Sequence, residues 1–140
     1  MNNAAKTIGP HAALIYLMVM VSASDREMKS PELRRIGDAV RLLPIFAGFD
    51  LERLPDTAKE CAVMISPEDG LERTLAVIKA ALPERLRETA YALACDIAAA
   101  DGKLPHTELR MLDLIRQRLG VERLTAAAIE RAAHARYAVL

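Results

Sequence analysis

The chain has 140 residues, of which 52% are apolar, and this is enough for one domain with a hydrophobic core. Aromatic residues make up only 4% and Trp is absent, so small aliphatic side chains must fill the core, which favours helix packed against helix. The 19 acidic and 19 basic residues balance, and the lack of a basic excess argues against a nucleic-acid-binding domain. We predict a single all-α domain over residues 1–140.

The first predicted helix is the apolar stretch from Ile8 to Ser24, with Gly9-Pro10 near its start. Its outline also resembles a secretory signal peptide, with Val21-Ser22-Ala23 in the place of a cleavage site. A membrane-spanning helix needs about 20 apolar residues, so this stretch is too short to span a bilayer. Because a similar apolar pattern recurs deep inside the chain, we interpret the stretch as a buried helix.

Capping signals divide the following part of the chain into three helices. Ser30-Pro31-Glu32 is typical of an N-cap, a first-turn proline and a first-turn acid, and this second helix ends before Pro44. The third helix covers Leu54 to Ile65. Ser66-Pro67-Glu68 repeats the capping signal and predicts the start of a fourth helix. The apolar face of that helix is Leu71, Leu75, Ile78 and Leu82.

Three further helices are predicted in the second half. The fifth begins at Pro83 and ends at Asp101-Gly102. The sixth begins at Pro105 and is closed by Gly120 in a left-handed conformation. The seventh covers about Leu124 to Tyr137, and no window of the sequence shows the alternation of a strand. The whole pattern predicts about seven helices joined by short loops.

Residues 14–36 and 91–115 share one pattern at a constant offset of 76 residues. The pattern is an apolar helix, then Asp-x-x-(Met/Leu)-x-x-x-Glu-Leu, then a second, amphipathic helix. The apolar positions of both helices and both acids match under this offset. We therefore predict two pseudo-symmetric helix–turn–helix units, at about 14–43 and 91–119, packed around a pseudo-twofold axis and joined by the middle helices.

The acidic turns carry a resemblance to a known family. The phrase Ala100-Asp101-Gly102-Lys103-Leu104, followed by Glu108-Leu109, resembles the ADG-x-(Ile/Leu)-x-x-x-E-x-x-x-(Ile/Leu) signature of TerB-like tellurite-resistance domains. Ser24-Asp25-Arg26-Glu27-Met28, followed by Glu32-Leu33, is similar to the same signature, although Arg26 replaces its glycine. The resemblance covers nearly the whole chain. It implies a helical bundle tied to tellurite and stress-response systems, without an established enzymatic activity and with Gly102 as a structural turn residue.

Four carboxylates recur in the two turns. Glu32 and Glu108 are predicted in first turns, where the helix dipole favours an acid by about 0.3–1 kcal/mol, so they need no functional explanation. Asp25 and Asp101 are predicted at helix ends, where a negative charge is mildly unfavourable. Three interpretations remain open: hydrogen bonds from nearby backbone amides, a divalent cation such as Ca²⁺ or Mg²⁺, or an acidic docking patch for a basic partner.

One pair of matched positions argues against two equivalent metal sites. Asp96 would join Asp101 and Glu108 as a ligand, but its counterpart in the first unit is Met20. If a single metal site exists, we expect it in the second helix–turn–helix.

The two cysteines, Cys61 and Cys95, lie inside apolar helical patterns, without CxxC spacing or a histidine at metal-binding spacing. We expect buried, reduced thiols in a cytoplasmic protein, with thiol-dependent handling of an oxyanion as an alternative. The sequence contains no nucleophile-elbow or phosphate-binding glycine motif, so we do not predict an enzyme.

Three functions follow from these observations. The first is a non-catalytic interaction module that presents acidic turns to a protein partner, for example a membrane-associated stress complex. The second is divalent-cation binding or sensing through Asp25, Glu32, Asp101 and Glu108. The third is thiol chemistry. We expect no nucleic-acid partner and no direct insertion into a membrane.

Overall fold

The computed structural model of the chain describes residues 7–22, 30–100 and 106–140, with the backbone alone at residues 30 and 106–108. These residues form seven α-helices and no strand, which confirms the predicted all-α class. The helices are α1 (Pro10–Ser22), α2 (Ser30–Leu42), α3 (Leu54–Ile65), α4 (Gly70–Ala81), α5 (Arg87–Ala99), α6 (His106–Leu119) and α7 (Arg123–Arg136). None of the helices in these ranges is long and apolar enough to cross a membrane.

Helix α1 forms the centre of the bundle. Every residue from Ala13 to Ser22 is buried, and the helix contacts α2, α3, α4, α5 and α6. A helix that is apolar on all sides has no face to present to water, so its neighbours must surround it. The prediction of a buried first helix is therefore confirmed.

The other helices pack against α1 or against its neighbours, and α5 is buried on most of its sides. Helices α3 and α4 pack against each other and against α1, while α5 packs against α1, α6 and α7. The buried core is mainly aliphatic, with Tyr16, Phe46 and Tyr91 as its aromatic members. On the surface, Arg118 of α6 donates bidentate hydrogen bonds of 2.8–3.0 Å to the Glu72 carboxylate and links α6 to α4.

An aromatic cluster anchors the connection between α2 and α3 to the start of α1. The chain forms short 3₁₀ turns at Pro44–Phe46 and Leu51–Arg53. The Nε2 atom of His11, in α1, is 2.7 Å from the carbonyl oxygen of Ile45. The centroid of the His11 ring is 5.6 Å from the ring centroid of Phe46 and 5.6 Å from that of Phe49. This connection is therefore held by a side chain of the central helix.

The predicted N-cap at Ser66 is wrong. Ser66 follows the last residue of α3, and its Oγ donates a hydrogen bond of 2.9 Å to the carbonyl oxygen of Val63. Helix α4 begins only at Gly70, after a turn in which the Gly70 amide donates to the Pro67 carbonyl oxygen at 2.8 Å. The serine and proline thus belong to the corner between the helices, which the capping pattern alone does not distinguish from a helix start.

Two other helix ends are explained by local chemistry. Helix α5 begins at Arg87 rather than at Pro83, because residues 84–86 form a 3₁₀ turn first. Gly120 has a φ of +72° and its amide donates to the Arg116 carbonyl oxygen at 3.0 Å, as predicted for the end of α6. Helix α7 is capped by the Glu122 carboxylate, which accepts from the Thr125 amide at 3.2 Å.

The proposed internal repeat stays a prediction. Helix α1 packs against α2 and α5 packs against α6, as two helical hairpins require. Several matched positions share their burial, namely Leu17 and Leu93, Val21 and Ile97, and Ile36 and Leu112. Another pair differs, because Leu33 is half-buried whereas Leu109 is 45% exposed. The two predicted turns, at residues 25 and 101–102, lie outside the described residues.

The α3–α4 corner generates a prediction about Gly70. A Cβ at Gly70 would lie 2.6 Å from the Ile65 carbonyl group and from the Met64 carbonyl oxygen, all backbone atoms. Gly70→Ala should therefore lower the free energy of unfolding by about 1–3 kcal/mol, as overpacking does. Urea denaturation measures the change.

Gly37→Ala is the matched control. Gly37 lies within α2, and its added Cβ would meet only Leu54 Cδ2, at 3.7 Å. Replacing a helical glycine with space around it should raise stability by about 0.5–1 kcal/mol. Equal effects of the two substitutions would contradict the assigned corner.

Candidate functional site

The carboxylates predicted from the sequence are only partly described. Asp25, Asp101 and Gly102 lie outside the described residues, and the side chain of Glu108 does as well. Glu32 is in the first turn of α2, as predicted, and is half-buried. Among the residues that the structure describes, no group of three or more His, Cys, Asp or Glu could hold a metal ion. The cation site at the two turns remains a prediction.

Asp96, the fifth candidate ligand, has a structural partner. The Arg136 Nη2 donates a hydrogen bond of 2.6 Å to Asp96 Oδ1 and links the end of α7 to α5. A guanidinium–carboxylate pair of this length is charge-assisted. The positive charge of Arg136 offsets the negative charge of the Asp96 carboxylate and so weakens its attraction for a cation.

A cleft of about 330 Å³ lies between α5, α6 and α7. Helix α5 contacts both other helices, and alanines at the positions that line the cleft leave the space between them unfilled. The apolar lining residues are Ala98, Ala99, Leu109, Leu112 and Ala133. The polar and titratable lining residues are Tyr91, Cys95, Asp113, Glu130 and His134.

A tyrosine–glutamate pair joins α5 to α7 at this cleft. The Tyr91 hydroxyl donates a hydrogen bond of 2.5 Å to Glu130 Oε2, although 39 residues separate the two in the sequence. Burial of the ring, followed by this hydrogen bond, raises the pKa of Tyr91 above its ordinary value. The hydroxyl therefore keeps its proton at neutral pH and holds the carboxylate in one orientation.

The thiol of Cys95 is also protonated at neutral pH. The residue is 3% exposed, and burial is the main cause that raises its pKa to about 12. A hydrogen bond with Tyr91 acts in the opposite direction, while the charges of Glu130 and Asp96 add to the rise. Since the thiolate is the reactive form of cysteine, Cys95 is a poor nucleophile in the folded protein. Cys61 is buried too, so the prediction that both thiols are buried is confirmed.

A second tyrosine–glutamate pair joins α1 to α3. The Tyr16 hydroxyl donates to Glu60 Oε2 at 3.4 Å, and the Cys61 thiol donates to the Tyr16 carbonyl oxygen at 3.5 Å. Sequence reasoning missed both tyrosines. The signal was present, because a tyrosine within an apolar, buried helix needs a hydrogen-bond partner from a neighbouring element.

The raised pKa values predict a loss of stability at alkaline pH. The folded protein holds the protons of Cys95 and Tyr16 more tightly than the unfolded chain, whose ordinary pKa values are 9.0 and 10.0, and both folded values are about 12. Stability should be complete below pH 9 and fall as the pH rises towards 12. Urea midpoints between pH 8 and pH 11 follow the change.

Cys95→Ala is the diagnostic variant for this effect. It removes one of the groups whose proton the folded protein holds more tightly than the unfolded chain does, so its urea midpoint should fall less between pH 9 and pH 11 than that of the original chain. Parallel midpoint curves for the variant and the original chain would contradict the assignment to Cys95.

The comparison with known families is consistent with this architecture. A family model described as tellurite resistance protein TerB matches residues 11–131. Neither the curated proteins nor the solved structures gave a significant match. The matched range extends from the central helix α1 into α7 and includes Tyr91, Cys95 and Glu130 of the cleft. The chain therefore belongs to the TerB family of tellurite resistance proteins.

Proposed function

We propose that this TerB-family chain is a non-catalytic interaction module and that the cleft between α5, α6 and α7 binds a protein partner during oxyanion stress. The observation that carries the proposal is a preformed, largely apolar cleft whose lining includes the Glu130 carboxylate, oriented by the Tyr91 hydroxyl. Binding sites commonly combine an apolar cavity with a few well-placed polar groups. A membrane-associated stress complex is one class of partner that fits the family's role.

The chemistry of the cleft supports binding rather than catalysis. A nucleophilic or acid–base site needs a group that loses or gains its proton near neutral pH. His134 also lines the cleft, but the two possible nucleophiles there, Tyr91 and Cys95, have raised pKa values and keep their protons. Asp113 accepts hydrogen bonds from two side chains of its own helix. The thiol-dependent alternative is disfavoured by the same burial of Cys95.

The size and edge of the cleft suit a protein partner. Its volume of about 330 Å³ is near the lower limit of ligand pockets, which suits one inserted side chain. Leu109, which lines the cleft, is 45% exposed and would be covered by a partner. Buried anchor side chains in such pockets carry much of the energy of protein interfaces.

Filling the cleft tests the proposal in cells. Ala99 lines the cleft and is half-buried, so Ala99→Leu should occupy part of its volume. Ala99→Leu should weaken binding of the partner by about tenfold, or about 1.4 kcal/mol, and cells that depend on this chain for growth in tellurite should become more sensitive to it. Ala76→Leu, on the exposed face of α4, is the matched control and should keep tolerance.

The same tolerance assay distinguishes the interaction proposal from a catalytic role of the Cys95 thiol. Cys95→Ala leaves the apolar lining of the cleft in place and removes the sulfur. The interaction proposal expects tolerance to persist with this variant. Lost tolerance in a folded Cys95→Ala protein, together with full tolerance in Ala99→Leu, would contradict it.

Divalent-cation binding is the alternative proposal, and it rests on the sequence signature of the two acidic turns. Calorimetry with Ca²⁺ and Mg²⁺ on the full chain and on Asp101→Asn measures it directly. The interaction proposal expects no saturable heat with either protein. A saturable heat that Asp101→Asn removes would favour the cation proposal, because carboxylate oxygens are the ligands of these ions.

A further inference from the structure

We infer that the cleft between α5, α6 and α7 accepts a lysine or arginine side chain of the partner protein, with Glu130 as the counter-ion. This inference rests on the proposed function and specifies the chemistry of the partner. It is drawn from the apolar lining of the cleft, the charges along it and the fixed orientation of the Glu130 carboxylate.

The apolar lining suits the aliphatic part of a basic side chain. Ala98 and Ala99 of α5, Leu112 of α6 and Ala133 of α7 contribute it. Lysine and arginine bury their methylene chains along apolar surface and keep the charged group at a polar edge. A cavity of about 330 Å³ has room for one such chain and the water around its head group.

The charges of the cleft favour a cation. Its lining contains two carboxylates, Asp113 of α6 and Glu130 of α7, against one imidazole, His134 of α7, and it contains no lysine or arginine. Asp113 is already bonded, since Gln117 donates to it at 2.8 Å and Arg116 lies 3.4 Å away. Glu130 has no ion-pair partner among the described residues, so it is the carboxylate that an incoming cation would neutralise.

Tyr91 prepares Glu130 for this role. Its hydroxyl engages Oε2 and thereby leaves Oε1 as an acceptor for a further donor. A receptor group that is already oriented loses less conformational freedom when a ligand binds. The Tyr91–Glu130 pair therefore acts as a preorganised acceptor in the lining of a largely apolar cleft.

Other occupants fit less well. An apolar side chain would remove water from the Glu130 carboxylate without replacing its hydrogen bonds, which costs free energy. An oxyanion such as tellurite would meet two carboxylates of the same charge. The chemistry of the cleft thus points to a cation on a flexible aliphatic chain.

The test uses the full chain and three capped tripeptides, in which alanines flank lysine, norleucine or glutamate. Two-dimensional NMR should show the lysine peptide shifting amides of the α5, α6 and α7 residues that line the cleft. We expect its affinity to exceed that of the uncharged norleucine peptide by about fivefold, the range of a partly exposed ion pair. The advantage should shrink in 0.5 M NaCl, where the Debye length is about 4 Å.

Glu130→Gln and Glu60→Gln form a matched pair of variants. Both glutamates accept a hydrogen bond from a tyrosine, but only Glu130 lines the cleft. Glu130→Gln should abolish the preference for lysine over norleucine, and Glu60→Gln should retain it. Equal affinities of the lysine and norleucine peptides for the original chain, or amide shifts away from the cleft, would overturn the inference.

Two further arms separate this inference from the proposed function. Binding of free 1,5-diaminopentane without binding of the lysine peptide would overturn the assignment to a protein side chain. If the lysine preference depends on Glu130 but Ala99→Leu cells keep their tellurite tolerance, the cleft chemistry stands and the proposed function fails. If Ala99→Leu cells lose tolerance but no lysine preference exists, the proposed function stands and this inference fails.

Discussion

The structure depends on the burial of helix α1. From Ala13 to Val21 each of its residues is at most 1% exposed, so no side of this helix faces water. Each large apolar side chain that is fully buried contributes about 1.5–3 kcal/mol. Such a helix is stable in water only when other helices enclose it, and α3, α4 and α5 make its main contacts. Burial of α1 therefore requires that several of the remaining helices pack around it.

The candidate site is formed where α5 packs against its neighbouring helices. Helix α5 contacts α1 and also contacts α6 and α7. Small residues at Ala98, Ala99 and Ala133 leave the cleft open, while the Tyr91–Glu130 hydrogen bond and the Asp96–Arg136 pair tie α7 to α5. The same burial that stabilises α5 raises the pKa of the Cys95 thiol to about 12 and makes it unreactive.

The sequence predicts the helices well and the contacts between them poorly. Periodicity places all seven helices, and Gly120 marks the end of α6, because these signals act within a few residues. The start of α4 is missed, because Gly70 is required by the backbone of Ile65 and not by a capping pattern. The Tyr91–Glu130 pair spans 39 residues, so it depends on tertiary packing that no local pattern encodes.

Native-state hydrogen exchange on α1 tests the central claim most directly. If α1 is the enclosed centre of the bundle, the amides of residues 15–19 should exchange only through global unfolding, with a protection free energy equal to that from urea denaturation. The amides of α7, whose main contact is with α5, should exchange through smaller openings. Exchange of the α1 amides at a rate equal to or faster than those of α7 would contradict the account.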